Sequence, residues 1–274
     1  MSVMTDHQPV SILTDAEGPA AHVLNADGRG RVVLVCEHAS RFIPAALDSL
    51  GLDADALLSH AAWDIGARDV ARNMMAALDA PLVEARVSRL VYDCNRPPTA
   101  RDAIAEKSEI FEIPGNSALA EDAREARVRD VYEPFRKALA DTIASRTGPV
   151  MLVTIHSFTP VYMGQARQVE LGLLHDADDR VARAMMRIAE DHTSLRAELN
   201  QPYSAADGVT HSLREHAVPA GIPNVMIEIR SDFIDTPAGA ERVAGELVAM
   251  LSAVLRENPV LAGNDDTHFQ DGAG

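Results

Sequence analysis

Aromatic side chains are scarce. Phe, Trp and Tyr make up 4% of the 274 residues, so Leu, Val, Ile, Ala and Met must pack most of the core. Cysteine is nearly missing: Cys36 and Cys94 are the two in the chain, and neither sits in a CxxC pair. Two cysteines in this length make neither a disulfide scaffold nor a paired zinc ribbon. No apolar run approaches the roughly 20 residues that span a bilayer. The opening MSVMTDHQPVSILTDAEGP has no basic segment followed by an apolar one, which reads as a chain without a signal peptide. A reducing cytoplasm is the expected compartment. Positive charge is in deficit too: 25 Lys and Arg face 41 Asp and Glu, for a net charge of -16. Such a surface repels phosphate backbones and anionic bilayers, so neither nucleic acid nor a membrane is the expected partner. An acidic small molecule, if bound, must be met by a few well-placed arginines.

What is present is the composition of a folded protein, with 47% hydrophobic and 24% charged residues. Short, continuous, β-branched runs predict buried strands at Val32–Cys36, Leu82–Val87, Leu90–Cys94, Val150–Ile155, Val169–Leu174 and Asn224–Ile229. Helical periodicity falls between them, at 66–78 with Val70, Met74 and Leu78 on one face, at 178–191, at 208–218 and at 238–256. A long helix is predicted over 117–146, with Ser117 as N-cap and Pro134 kinking or splitting it. Residues 99–116 read as a loop. Strands apolar on both sides and alternating with helices predict a three-layer α/β fold, a mixed and mostly parallel sheet with helices on both faces. Residues 1–30 read as an irregular lead-in, 31–257 as one α/β domain and 258–274 as a polar tail. Nothing in the sequence fixes the oligomeric state.

In open α/β sheets, ligands bind beyond the carboxyl ends of the strands. Glu37-His38 follows the first predicted strand, Asn95-Arg96 the third and His156-Ser157 the fourth, while the last carries Glu228 with Arg230 after it. Zinc takes imidazole nitrogen and carboxylate oxygen and keeps a position for water in catalytic sites. His38 and His156 are the candidate imidazoles; each alone is better explained as a satisfied rim residue or helix cap, and it is the two at equivalent strand ends, with carboxylates nearby, that bring metal binding level with that reading. Asp64, just before a helix, is the candidate third ligand; its alternative role is an N-cap. Glu37 is the other possibility, but neighbours in an extended strand point to opposite faces. Glu228 lies in an apolar strand, where a carboxylate is costly unless paired or functional, and it suits a general base. Arg96 suits bidentate capture of a carboxylate, with Asn95 adding a hydrogen bond. Arg89, Arg167 and Arg230 are further arginines for the same rim.

Several stretches together resemble the N-formylglutamate amidohydrolase family: CEHAS at 36–40, WDIGA at 63–67, Ser88-Arg89 through Asp93-Cys94-Asn95-Arg96-Pro97, IHSF at 155–158, and PYSAADGVTHSLREHA running into GIPNVMIEIRSDFI. The resemblance covers the chain from the first strand to Ile234. It implies a zinc-carboxypeptidase-like architecture and hydrolysis of N-formyl-L-glutamate to formate and glutamate. It also implies one zinc ion at His38 and His156, Glu228 as catalytic base, and Asn95 with Arg96 at the substrate carboxylate. One position departs. Where the carboxypeptidases place a glutamate ligand three residues after the first histidine, this chain has Arg41, and Asp64 is the replacement. Manganese, cobalt or nickel could occupy the same nitrogen and oxygen set. The alternatives are a zinc peptidase, a deacylase of another N-acyl amino acid, or a non-catalytic protein that binds N-acyl amino acids.

Overall fold

The apolar runs assemble into one seven-stranded sheet in a computed structural model that describes residues 11–148 and 150–257. Strands are β1 (Ala21–Leu24), β2 (Val32–Cys36), β3 (Leu82–Ala85), β4 (Lys107–Ser108), β5 (Phe111–Glu112), β6 (Met151–Phe158), β7 (Val161–Tyr162), β8 (Gln165–Ala166), β9 (Leu171–Leu174), β10 (Ala197–Leu199) and β11 (Asn224–Arg230). The sheet order is β1-β3-β2-β6-β11-β9-β10, while β4–β5 and β7–β8 are separate hairpins. Neighbours run parallel in β3–β2, β2–β6, β6–β11 and β9–β10, and antiparallel in β1–β3 and β11–β9. The sheet is thus mixed and mostly parallel, as expected.

Seven α-helices accompany it among the described residues: α1 (Ala54–Leu58), α2 (Ala67–Leu78), α3 (Glu121–Arg127), α4 (Glu133–Ala144), α5 (Arg180–His192), α6 (His211–His216) and α7 (Pro237–Glu257). Strand alternation divides the core. Val32, Leu34, Val153, Ile155, Val225 and Ile227 face one side and pack on Val70 and Met74 of α2, Met185 of α5 and Leu247 of α7. Val33, Val35, Leu152 and Met226 face the other, against Phe135 and Leu139 of α4 and Leu213 of α6. Central strands buried on both faces need no polar alternation, which is why they read as continuous apolar runs.

Three expectations are corrected. Leu90–Cys94 is no strand. The Val91 N–H bonds back to Ser88 O at 2.9 Å and the Asp93 N–H to Ala103 O at 2.8 Å, so turns consume the backbone while Leu90, Val91 and Tyr92 plug into the core. The 117–146 helix begins at Glu121 with Ala120 as N-cap, and Ser117 instead closes the 3-10 turn Pro114–Asn116. A π-helical stretch at Val128–Tyr132 links that helix to α4, and Pro134 follows just after, where the Glu133 N–H already reaches back to Val128 O and the regular i→i−4 ladder is interrupted. The lead-in is not wholly irregular, since Ala21–Leu24 forms the half-exposed edge strand β1. Residues 1–10 and the predicted tail 258–274 lie outside the described residues.

Candidate metal centre and active-site cavity

His156 and Glu228 stand directly opposite each other in the parallel β6–β11 ladder. Their parity matches that of Leu152 and Met226, so both point to the α4–α6 side of the sheet near the carboxyl ends of the strands. His38 lies two residues beyond the end of β2, where strand alternation has lapsed. Asp64 is brought over by a backbone bond, its N–H donating to His38 O at 3.0 Å. The next turn requires Gly66, at φ +80°, because a Cβ there would sit 2.1 Å from Ile234 O.

Three ligand atoms converge. Asp64 Oδ2 lies 3.2 Å from His38 Nδ1 and 3.0 Å from His156 Nδ1, and the two Nδ1 atoms are 3.2 Å apart. His38, Asp64 and His156 are all buried and form the one group of metal-ligating side chains of this kind among the described residues. Ligands at about 2.0–2.1 Å from a tetrahedral ion are separated by roughly 3.3 Å, so the spacing fits. The far nitrogens face carboxylates. His38 Nε2 meets Asp93 Oδ1 at 2.7 Å, and His156 Nε2 lies 3.1 Å from Glu37 Oε2. The Asp93 bond fixes the His38 ring with its other nitrogen turned inward, the support that metal-ligating histidines need, while Glu37 stands behind His156 as an ion-pair neighbour whose Oε2 makes no hydrogen bond. Glu37 is therefore placed behind His156 rather than beside His38 Nδ1. Of these supports, Asp93 escaped notice in the sequence because it lay in a stretch read as a strand.

Charge supports the same reading. Four buried carboxylates (Glu37, Asp64, Asp93 and Glu228) share the floor with the Arg89 guanidinium, which donates to Asp64 Oδ1 at 3.2 Å and Asp93 Oδ2 at 3.1 Å. Burial would raise the Asp64 carboxyl, but His38, bonds from both imidazoles and Arg89 hold it far below the ordinary range. Burial likewise opposes charge on His156, yet Glu37 and Asp64 draw its pKa well upward. The cluster calls for added positive charge, which protons or a cation would supply. Glu228 is pushed up to about 7, first by burial and then by Asp64. Its Oε2 is buried with no hydrogen-bond partner.

His38, Asp64, Arg89, His156 and Glu228 line a cavity of about 400 Å³, whose wall also includes Arg96, His60, Glu109, Tyr162 and Tyr203. Asn95 lines it too, but its amide is engaged: Nδ2 donates to Val209 O, and Oδ1 accepts from Ser212 N–H at 3.0 Å. Asn95-Arg96 follows a turn and not a strand. Arg96 bonds Asp102 at 2.8 Å and the carbonyls of Asn95 and Gly208 at 3.0 Å each. Arg230 is not brought to this cavity; it pairs with Asp232 at 2.9 Å and with Glu170 at 3.4 Å. The rim is two hairpins, joined where Glu109 Oε1 accepts from Met163 N–H at 3.0 Å and Glu109 Oε2 meets His60 Nε2 at 2.7 Å.

Residues 30–234 match the family model of N-formylglutamate amidohydrolase. The chain belongs to that family. A crystal structure of a gene product of Agrobacterium tumefaciens shares 51% identity with this family member at a TM-score of 0.88, covering 90% of this chain and 98% of the other. The crystal structure of N-formylglutamate amidohydrolase from Ralstonia eutropha is 17% identical at a TM-score of 0.59, covering 87% and 99%; that likeness shows the fold. Among curated proteins, none matches the chain. No described helix of this N-formylglutamate amidohydrolase family member is long and apolar enough to cross a membrane.

Proposed function

We propose that this chain is a metal-dependent amidohydrolase that cleaves the amide of an N-acyl amino acid, with N-formyl-L-glutamate as the leading substrate, giving formate and glutamate. The observation that carries this reading is the meeting of His38 Nδ1, His156 Nδ1 and Asp64 Oδ2 within 3.2 Å of one another on the cavity floor. Those three atoms would hold one divalent ion, with zinc the first choice for two imidazoles and a carboxylate and manganese, cobalt or nickel able to use the same set. When bound, the ion supplies Lewis acidity at the amide carbonyl and lowers the pKa of the attacking water.

The chain's own residues do the rest. Glu228 Oε2, with no protein partner, accepts a proton from the attacking water. A carboxyl poised near 7 can then give that proton to the departing nitrogen. Asp93 keeps the His38 imidazole turned to the centre, Glu37 stands behind His156 as its ion-pair neighbour, and Arg89 keeps Asp64 ionised and in place. Arg96 stands at the wall with Nε on Asp102 and Nη1 on the carbonyls of Asn95 and Gly208, so its Nη2, bonded at 3.5 Å to Asp207 O, is the group left for a substrate carboxylate, with Asn95 shaping the loop around it.

The test is metal analysis combined with hydrolysis of N-formyl-L-glutamate and a panel of longer N-acyl amino acids. One ion per chain and turnover of at least one panel member are expected. Metal-replete protein that binds these compounds but never cleaves them would sink the hydrolase assignment and leave a binding protein.

A further inference from the structure

Tyr203 lines the same cavity as Asp64, Arg89 and Glu228. Its hydroxyl oxygen accepts a hydrogen bond from Arg167 Nη2 at 3.0 Å, so its own O–H must point elsewhere. Among the described residues that O–H donates to no protein acceptor. The Arg167 guanidinium is packed among aromatic faces, 4.6 Å from the Tyr162 ring centroid, 5.0 Å from Tyr203 and 5.4 Å from Phe158. Unlike Arg89, Arg96 and Arg230, it has no carboxylate partner among the described residues. Its Nη1 is buried with no hydrogen-bond partner, while its Nη2 bonds the phenol, and an oxygen that accepts a charge-assisted bond becomes a stronger donor through its own hydrogen. Burial, with Glu228 next, raises the phenol pKa, so the proton stays on Tyr203 at neutral pH.

A gap in β9 places this hydroxyl. Gly172 stands opposite Glu228 in the β9–β11 ladder. A Cβ at 172 would fall 2.0 Å from Gln201 O and 3.1 Å from Glu228 Cβ. The missing side chain lets the segment leading into Tyr203 cross directly over the strand beside the base. The cavity therefore holds a buried acceptor without a partner, Glu228 Oε2, and a polarised neutral donor, Tyr203 O–H. Arg89 already divides its charge between Asp64 and Asp93.

We propose that Tyr203, polarised by Arg167, is a catalytic residue that donates a hydrogen bond to the amide carbonyl oxygen of the substrate. The bond strengthens as water adds to the carbonyl carbon and negative charge grows on that oxygen, then relaxes when the carbon–nitrogen bond breaks. The phenol keeps its proton throughout; the proton of the water travels by Glu228. Such a donor acts on the transition state more than on the bound substrate. The inference rests on the hydrolase reading above.

The test uses Tyr203→Phe, which keeps the ring and its packing, on the metal-loaded full chain with the best substrate of the panel. Loss of one oxyanion donor should lower kcat on the order of 100-fold with KM within about threefold. Calorimetric titration gives the second readout. Tyr203→Phe should weaken a phosphonamidate of that substrate, whose tetrahedral anionic phosphorus mimics the adduct, on the order of 100-fold. The substrate itself, titrated into the Glu228→Gln background, should change less than about threefold. Arg167→Met should move kcat and the phosphonamidate in the same direction by a smaller factor. Equal loss for both ligands would mean that Tyr203 merely shapes the pocket, and no loss for either would mean that it is idle; both results overturn the proposal while leaving the hydrolase reading intact. A wild type that hydrolyses no N-acyl amino acid, whatever it binds, ends both.

Discussion

The floor of the cavity and its rim are built differently. His156 and Glu228 stand in the β6–β11 ladder, His38 follows β2, and Asp64 is fastened to His38 by a backbone bond. His156 and Glu228 are thus fixed by long-range sheet pairing, and His38 and Asp64 by a turn tied to the end of β2. The rim is two-residue strands in the β4–β5 and β7–β8 hairpins, joined where Glu109 accepts from the Met163 N–H. Groups that must agree to within a few tenths of an ångström sit on rigid elements, while groups that choose the substrate sit on segments that can vary without disturbing them.

That contrast can be broken or sharpened by substitution. The largest effect is expected at the floor: Glu228→Gln should lower kcat by about 10²–10⁴ while metal content stays at one ion per chain. Near-normal turnover would remove Glu228 as the base. Next comes α6, which packs on β11. Burial holds His216 down to about 4 against 6.5 for the free side chain. Between those values the unfolded chain binds a proton that the folded chain refuses, so this contribution is fully present above pH 6.5 and is lost as pH falls toward 4. The difference reaches about 3 kcal/mol. Hydrogen exchange should show α6 amides losing protection in acid before those of β6 and β11, and His216→Gln should flatten the pH dependence; an unchanged profile would show that His216 titrates freely.

Asp93→Asn should follow, weakening metal affinity by about 10–100-fold through the orientation of His38, as read by competition with a chelator. Glu37→Gln should act alike through His156. If either leaves affinity untouched, that carboxylate is structural. The smallest effect belongs to the rim. Glu109→Gln is expected to change stability by less than about 0.5 kcal/mol and to shift KM among acyl lengths more than kcat. A collapse of kcat there would erase the distinction between floor and rim.

The sheet was readable because its central strands are buried on both faces and therefore spelled as uninterrupted apolar runs, such as Val32–Cys36 and Asn224–Ile229. The same signal misled at Leu90–Cys94, because a turn driven into the core is as apolar as a strand. The edge strands β1 and β10 were missed because they are short and half-exposed. At the site, His38, Asp64, His156 and Glu228 were picked out by residue type and by position near strand ends, and the structure brings all four to one cavity. Asp93, His60, Glu109 and Tyr203 were not picked out. Their places depend on turns, hairpins and the gap at Gly172, none of which leaves a periodic trace. Asn95 and Arg96 were selected for donors that the fold largely commits to its own carbonyls and to Asp102.

Anomalous diffraction at the zinc edge, on crystals of protein stripped of metal and then reloaded, tests the centre itself. One zinc is expected, bonded at about 2.0–2.2 Å to His38 Nδ1, His156 Nδ1 and Asp64 Oδ2, with the far nitrogens still facing Asp93 and Glu37. An ion bound elsewhere, or a reloaded crystal in which the three atoms still share hydrogen bonds and no ion, would contradict it.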